Sequence, residues 1–295
     1  MTRWIGTPVV LVVAVGLALA GCGSSSSKKA SGSGNLTDLG SKLPVQIAKA
    51  RNLTVGSDVS YAPVEFFKEG TQQAQGVDVD LCNAIAATFG AGFTCTFQNS
   101  TFDGLIPALT AKRFDVIMSS LSDTKEREKS ITLVDYFNAG TSILVKKGNP
   151  GGIRTLDDLC GKTVGLQKGT TQEDLANKQR DKCKASGKDL TVLTFDKDTD
   201  ALLALKAGRS VADMNDFPVA AYNAKTSGDG NDFEAVGEQL EPAPYGIGVR
   251  KEDTALRDAL QSGLRQIIAN GTYDQVLQKW NVTQGAFRTA TIDGG

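Results

Sequence analysis

The chain is predicted to be an α/β protein of two lobes, on three observations. Short apolar strands alternate with amphipathic helices, a pattern that calls for helices on both faces of the sheets. The alternation runs through two successive sets, and a strand-forming segment from Tyr245 to Val249 returns after the second, so more than one strand crosses between lobes. Setting aside a leader and a polar tether leaves about 250 residues, enough for one large domain or two lobes of ordinary size.

The first set opens with a strand from Leu53 to Ser57. A helix follows Asp78, with Leu81, Ile85 and Phe89 on one face and Gly90 as its stop. Next come a strand from Thr94 to Phe97, a helix from Phe102 to Lys112, a strand from Asp115 to Met118, a short helix after Thr124 and a strand from Ile143 to Lys146. The second set has a short helix capped by Thr155, a strand from Thr163 to Leu166, a helix from Thr171 to Ser186 closed by Gly187, and a strand from Leu190 to Phe195. A helix carrying Leu202, Leu203 and Leu205 ends at Gly208, Val211 to Asn215 is a strand, and Phe217 to Ala224 is helical. Leu256, Leu260, Leu264 and Ile268 recur at helical spacing before Asn270-Gly271, and a last helix runs from Tyr273 to Trp280.

Arg3 and the apolar run from Val9 to Ala20, ending in small residues before Cys22, have signal-peptide architecture. Gly6 and Pro8 interrupt the stretch early, whereas a spanning helix needs roughly 20 apolar residues. Leu19-Ala20-Gly21-Cys22 resembles the lipobox of bacterial lipoproteins, which implies that Cys22 is lipidated and begins the mature chain. The Ser, Gly and Lys residues that follow cannot bury a core; they suit a flexible tether reaching about 25 Å. The five cysteines then divide into Cys22 and two pairs, Cys82 with Cys95 and Cys160 with Cys183. Three connectivities exist; the local one is preferred because each pair lies on a helix and an adjoining strand or helix end.

Composition narrows the chemistry. A formal charge of −1, with no basic run beyond Lys28-Lys29, argues against nucleic-acid binding. The absence of histidine removes Ser-His and Cys-His nucleophilic schemes and the usual zinc site. Gly161-Lys162-Thr163 lacks the preceding glycine of a phosphate loop, and Asp196, Asp198 and Asp200 lack the glycine and terminal glutamate of a calcium loop. No catalytic residue, cofactor or metal is expected.

Ligands in open α/β sheets sit beyond the carboxyl ends of strands. That directs attention to Asp58 to Tyr61, Ser119 to Arg127, Gly169 to Gln172, and Asp216. These loops and their neighbours carry a family resemblance. Gly76-Val77-Asp78-Val79-Asp80-Leu81, Phe102-Asp103-Gly104-Leu105-Ile106-Pro107-Ala108-Leu109, Ser119-Ser120-Leu121-Ser122 with Arg127, Gly169-Thr170-Thr171-Gln172, and Asn270-Gly271-Thr272-Tyr273 with Lys279-Trp280 occur in that order. Together they resemble the type II periplasmic binding proteins of polar amino-acid importers, bacterial solute-binding family 3, over nearly all of residues 46 to 283.

The resemblance implies a two-lobed Venus-flytrap fold with two hinge crossings, near Ala139 to Ser142 and Leu240 to Pro244. It divides the chain into a signal peptide (1–21), lipidated Cys and tether (22–45), first lobe (46–141), second lobe (142–240), a first-lobe return (241–285) and a tail (286–295). It assigns Arg127 to the ligand α-carboxylate, which a guanidinium fork matches bidentately. Ser120 and Ser122 contact the ammonium and carboxylate, with Ser119 nearer the side-chain end. Thr171 adds its amide and hydroxyl at a helix N-terminus, or is an ordinary N-cap. Asp216 pairs with the α-ammonium, Tyr61 and Phe102 are aromatic walls, and Asp58 sits at the far end.

The Ser-Ser-x-Ser string is closer to binders of lysine, arginine, ornithine and histidine than to glutamine binders, which implies a cationic ligand. Gln167 and Lys168 depart from those binders, and an inward lysine would oppose a cation. The implied function is capture of a free amino acid outside the cytoplasm by a membrane-anchored monomer, for delivery to an ABC permease and its ATPase. A glutamine or glutamate binder is the alternative within the class. A dehydratase-like enzyme and a sensory module are alternatives from other classes; the sensor calls for a transmembrane helix or cytoplasmic domain downstream, and none is expected after Gly295.

Overall fold

A computed structural model of the protein describes Met1 and residues 39–295; the leader, Cys22 and the tether as far as residue 38 lie outside the described residues. In chain order the elements are α1 (Val45–Ala50), β1 (Asn52–Ser57), β2 (Ser60–Tyr61), β3 (Glu65–Phe67), β4 (Ala74–Gln75), α2 (Val77–Ala87), β5 (Thr94–Asn99), α3 (Leu105–Thr110), β6 (Val116–Ile117) and β7 (Ile131–Lys146). There follow β8 (Thr163–Gln167), α4 (Thr171–Ala185), β9 (Thr191–Phe195), α5 (Asp198–Lys206), β10 (Ala212–Asp216), α6 (Phe217–Thr226), β11 (Phe233–Arg250), α7 (Thr254–Ala269) and α8 (Thr272–Lys279).

Eight strands form one sheet in the order β5-β1-β6-β11-β7-β10-β8-β9, and β2, β3 and β4 make a small separate sheet. At one end β1 runs parallel to β5 and β6. At the other end β8 runs parallel to β9 and β10. Between them β7 and β11 pair antiparallel from Ile131↔Arg250 to Lys146↔Phe233. Each half-sheet is covered on both faces. In the first lobe, Leu81 and Ile85 of α2, Leu256, Leu260 and Leu264 of α7 and Leu277 of α8 fill one core, while Leu105 and Leu109 of α3 fill the other face. In the second lobe Leu175 and Ala176 of α4 oppose Leu205 of α5 and Ala220 of α6.

The expected strand from Ile143 to Lys146 is only the end of β7, which is 16 residues long. Asp135 and the Asn138-Ala139-Gly140 stretch read as interruptions, yet every β7 residue except Asn138 and Lys146 is buried. A strand flanked on both edges and covered on both faces loses the alternation that marks a half-buried one. Likewise β11 extends well before Tyr245, with register breaks between Val236 and Leu240, Leu240 and Ala243, and Tyr245 and Gly246. The two expected crossings lie within these strands. At Gly140 the strands approach so closely that a Cβ would fall 2.9 Å from the Gln239 Cβ and 3.0 Å from the Leu240 carbonyl oxygen.

The folded body begins before residue 46. Leu39 and Leu43, which composition places in the tether, are buried in the first-lobe core. Residues 286–295 lie along β7, with Ala286 bridging to Phe137 and Ile292 to Val134. The disulfides pair as expected: Cys82–Cys95 ties α2 to β5, and Cys160–Cys183 ties the turn after Leu159 to α4. With its cysteines 23 positions apart in sequence, the second bridge limits the unfolded chain by about 3 kcal/mol. Replacing Cys160 and Cys183 together by serine is expected to cost about that much stability in urea unfolding, and a loss near zero would show that the bridge does no more than decorate the fold.

Candidate functional site

Four strands end at one place. β1 delivers Asp58, β6 leads into Ser119–Ser122, β8 ends at Gln167 and β10 at Asp216. Their loops meet around a narrow cavity between the lobes. Asp58, Tyr61, Phe102, Ser120, Ser122, Arg127, Thr171 and Asp216 line it, so eight of the nine sequence-predicted positions meet here. Glu65, Gln167, Thr170 and Gln172 complete the wall.

Arg127 opens a short 3-10 turn after the serine segment. Its Nη1 donates to the Ser122 carbonyl at 2.8 Å, its Nη2 to the Gly169 carbonyl at 3.1 Å, and its guanidinium lies 5.4 Å from the Phe102 ring centre. Burial lowers its pKa to about 10, with Asp216 the foremost charge opposing the shift, so it is cationic at neutral pH. Opposite stands the start of α4. The cap of that helix is Thr170, not Thr171: the Thr170 hydroxyl accepts the Glu173 N–H at 3.2 Å. Thr171 is the first helical residue, and its N–H is one of those a helix leaves without an internal partner.

Asp216 is 6% exposed. Its carboxylate accepts from the Tyr61 hydroxyl at 3.0 Å and from the Gln172 amide at 3.0 Å. Burial raises its pKa to about 6 against the lowering effect of Tyr61, Tyr245, Gln172 and Arg127. Tyr61 thus joins the lobes: it comes from the first and donates to the second.

The serine segment is pinned from behind. Ser120 has a left-handed backbone, φ 48°, uncommon outside glycine and asparagine. That turn aims its N–H at Asp78 Oδ2 (3.1 Å) while its hydroxyl donates to Glu65 Oε2 (3.1 Å). Ser119 does not face the cavity; its hydroxyl accepts the Asp58 N–H at 2.9 Å and donates to Glu65 at 3.2 Å. Glu65 lies outside the sequence-predicted positions; its one signal in the sequence is a carboxylate inside the apolar run Val64-Glu65-Phe66-Phe67. Gln172 was visible only as part of a motif.

At the far end the Gln167 amide donates to Asp58 Oδ2 and, at 2.9 Å, to the Asp196 carbonyl. Burial raises the Asp58 pKa, opposed by its bonds to Ser60 and Gln167. Lys168 points out of the cavity and pairs with Asp103 of the first lobe at 2.8 Å. Beside it, Gly169 sits at φ +77° where a Cβ would come 2.9 Å from the Asp103 Cβ, so the lobes touch here backbone to side chain.

The chain matches the bacterial extracellular solute-binding proteins, family 3, over residues 53–283. It belongs to that family. It is 33% identical over 235 residues to the histidine-binding periplasmic protein of Escherichia coli K12, covering 78% of this chain and 87% of that one. It is 34% identical over 240 residues to the lysine/arginine/ornithine-binding periplasmic protein of the same organism, covering 79% and 88%. Among solved structures, an ancestral arginine-binding protein bound to arginine matches with a TM-score of 0.71 and 36% identity, covering 78% of this chain and 97% of that one.

The buried acids make stability depend on pH. Burial lifts Asp216 to about 6 and Asp78 and Asp198 to about 7, so folding tightens their hold on protons. The stability so gained is complete below about pH 4, where the unfolded chain is protonated too, and is lost as pH rises through the folded values. The thermal midpoint of the ligand-free protein is therefore expected to fall between pH 5.5 and 8; a midpoint that climbs over that interval would show these carboxyls ionising without penalty.

Proposed function

We propose that this chain captures a cationic L-amino acid, arginine foremost, outside the cytoplasm and delivers it to the permease and ATPase of an ABC importer. The observation that carries the reading is the charge inventory of the cavity: its lining holds one guanidinium, Arg127, near Asp216, and two further carboxyl groups, Asp58 and Glu65. Arg127 and Asp216 suit the two charges of an amino-acid backbone, a carboxylate on a guanidinium fork and an ammonium on a carboxylate. Asp58 and Glu65 are then left over at the other end, where they suit a guanidinium or ammonium side chain between Tyr61 and Phe102. The lysine that would have opposed a cation is engaged with Asp103. The histidine- and lysine/arginine/ornithine-binding relatives support the same ligand class.

In this reading the first lobe (46–141 and 241–285) and the second (142–240) each hold part of the ligand, and ligand favours the closed arrangement by its higher affinity for it. Tyr61 with Asp216 and Arg127 with the Gly169 carbonyl already span that boundary. Lipidated Cys22 anchors a monomer to the membrane, and the protein binds its ligand without transforming it.

Thermal unfolding of the mature protein, stripped of co-purified ligand, tests this. Saturating arginine, lysine or ornithine is expected to raise the midpoint, and Arg127→Ala or Asp216→Ala to weaken binding roughly 100-fold or more by leaving a buried charge unpaired. A shift with glutamine or glutamate alone would keep the class and replace the substrate. No shift with any amino acid would sink the pocket, and a ligand recovered chemically altered would make the protein an enzyme.

A further inference from the structure

We infer that Glu65 is the charge-selecting group of the cavity, and that a cationic side chain enters by displacing a proton from it, so that capture of the ligand releases that proton to the medium. The inference rests on the amino-acid reading above and deepens it at the far end of the same site.

The geometry comes first. Glu65 is 1% exposed and Asp78, on α2, is fully buried. The two converge on Ser120, whose N–H binds Asp78 and whose hydroxyl binds Glu65. The groups facing Glu65 are Asp78 from α2, Asp58 from the loop after β1, Tyr136 from β7 and Tyr245 from β11. None is basic. Ser119 and Ser120 are its hydrogen-bond partners, and Asp78 takes bonds from the Tyr136 hydroxyl at 2.7 Å and from the Ser120 N–H. Two adjacent buried carboxyls with no cation among their partners cannot both ionise, so they share a proton. Burial, and then Asp78, push Glu65 well above the ordinary carboxyl range, and burial lifts Asp78 to about 7. Their titration belongs to the pair.

A guanidinium arriving beside Glu65 supplies the missing positive charge. The carboxyl O–H bond breaks, its proton passes to solvent, and the carboxylate takes the guanidinium N–H groups; no other bond changes. A neutral side chain of the same length gives no such reward and leaves the proton in place. Asp216 titrates as well, but it meets the backbone ammonium that every amino acid carries, so its contribution cancels when two amino acids are compared.

The test is isothermal titration calorimetry of the mature protein at pH 7.5 in two buffers of different ionisation enthalpy, with arginine and with citrulline, its uncharged near-isostere. Arginine is expected to release close to one proton more than citrulline, and its preference over citrulline to grow with pH up to tenfold per unit below the pair's titration. In Glu65→Gln the difference in proton release should vanish and arginine affinity fall at least tenfold, with citrulline little changed; retained citrulline binding shows that the variant folds. Equal proton release for the two ligands in the unsubstituted protein would overturn the inference, with no variant needed. So would a difference that survives Glu65→Gln but disappears in Asp58→Asn, or binding of citrulline without arginine, both of which leave the amino-acid reading standing. Failure of every amino acid to bind overturns that reading instead, and this inference with it.

Discussion

The pairing of β7 with β11 is the constraint on which the rest of the molecule depends. These two strands are the only elements shared by both half-sheets among the described residues, and they run antiparallel through the middle of the eight-stranded order. Because each half-sheet is parallel and its strands point at the same gap, four loops converge there without any one of them being long. The register breaks of β11 and the close contact at Gly140 lie in the same stretch. The serine segment is tied to it directly: Asp123 N–H bonds the Pro244 carbonyl at 2.7 Å, and Gly246 N–H bonds the Leu121 carbonyl at 2.8 Å. Cleft and crossing are therefore one mechanical unit.

Around that unit the protein accumulates buried acid. Glu65, Asp78, Asp198, Asp213 and Asp216 are all at least nine-tenths buried, and the hydroxyls of Tyr61 and Tyr136 are spent on two of them. Removing such groups from water costs several kcal/mol each when they are charged and unpaired. Hydroxyls and amides hold the oxygens of Glu65, Asp78 and Asp216, and burial pushes the pKa of every member of the set upward.

Much of this was legible in the residues. Strand ends, helix stops and the serine, threonine and aspartate positions after them could be read because local signals and topology agree. What could not be read has a common cause. In sequence Asp135 and Asn138-Ala139-Gly140 look like loop, and only neighbours distant in sequence make them part of β7. Nothing local to Leu39 and Leu43 shows the core they enter. The Ser-Ser-x-Ser string directs Ser119 to the cavity, whereas its hydroxyl serves the Asp58 backbone. Glu65 carries no such signal, because the small sheet that holds it is built of strands of two or three residues, too short for any periodicity.

The contact between Lys168 and Asp103 has a consequence outside the cleft. The two side chains are 54% and 32% exposed, so dissolved salt reaches them, whereas the bonds around Asp216 are shielded. Screening acts on such rim charges over about 8 Å at physiological ionic strength, and an exposed pair holds about 1 kcal/mol at most. Brine therefore loosens the rim clasp while leaving the grip on the cargo intact.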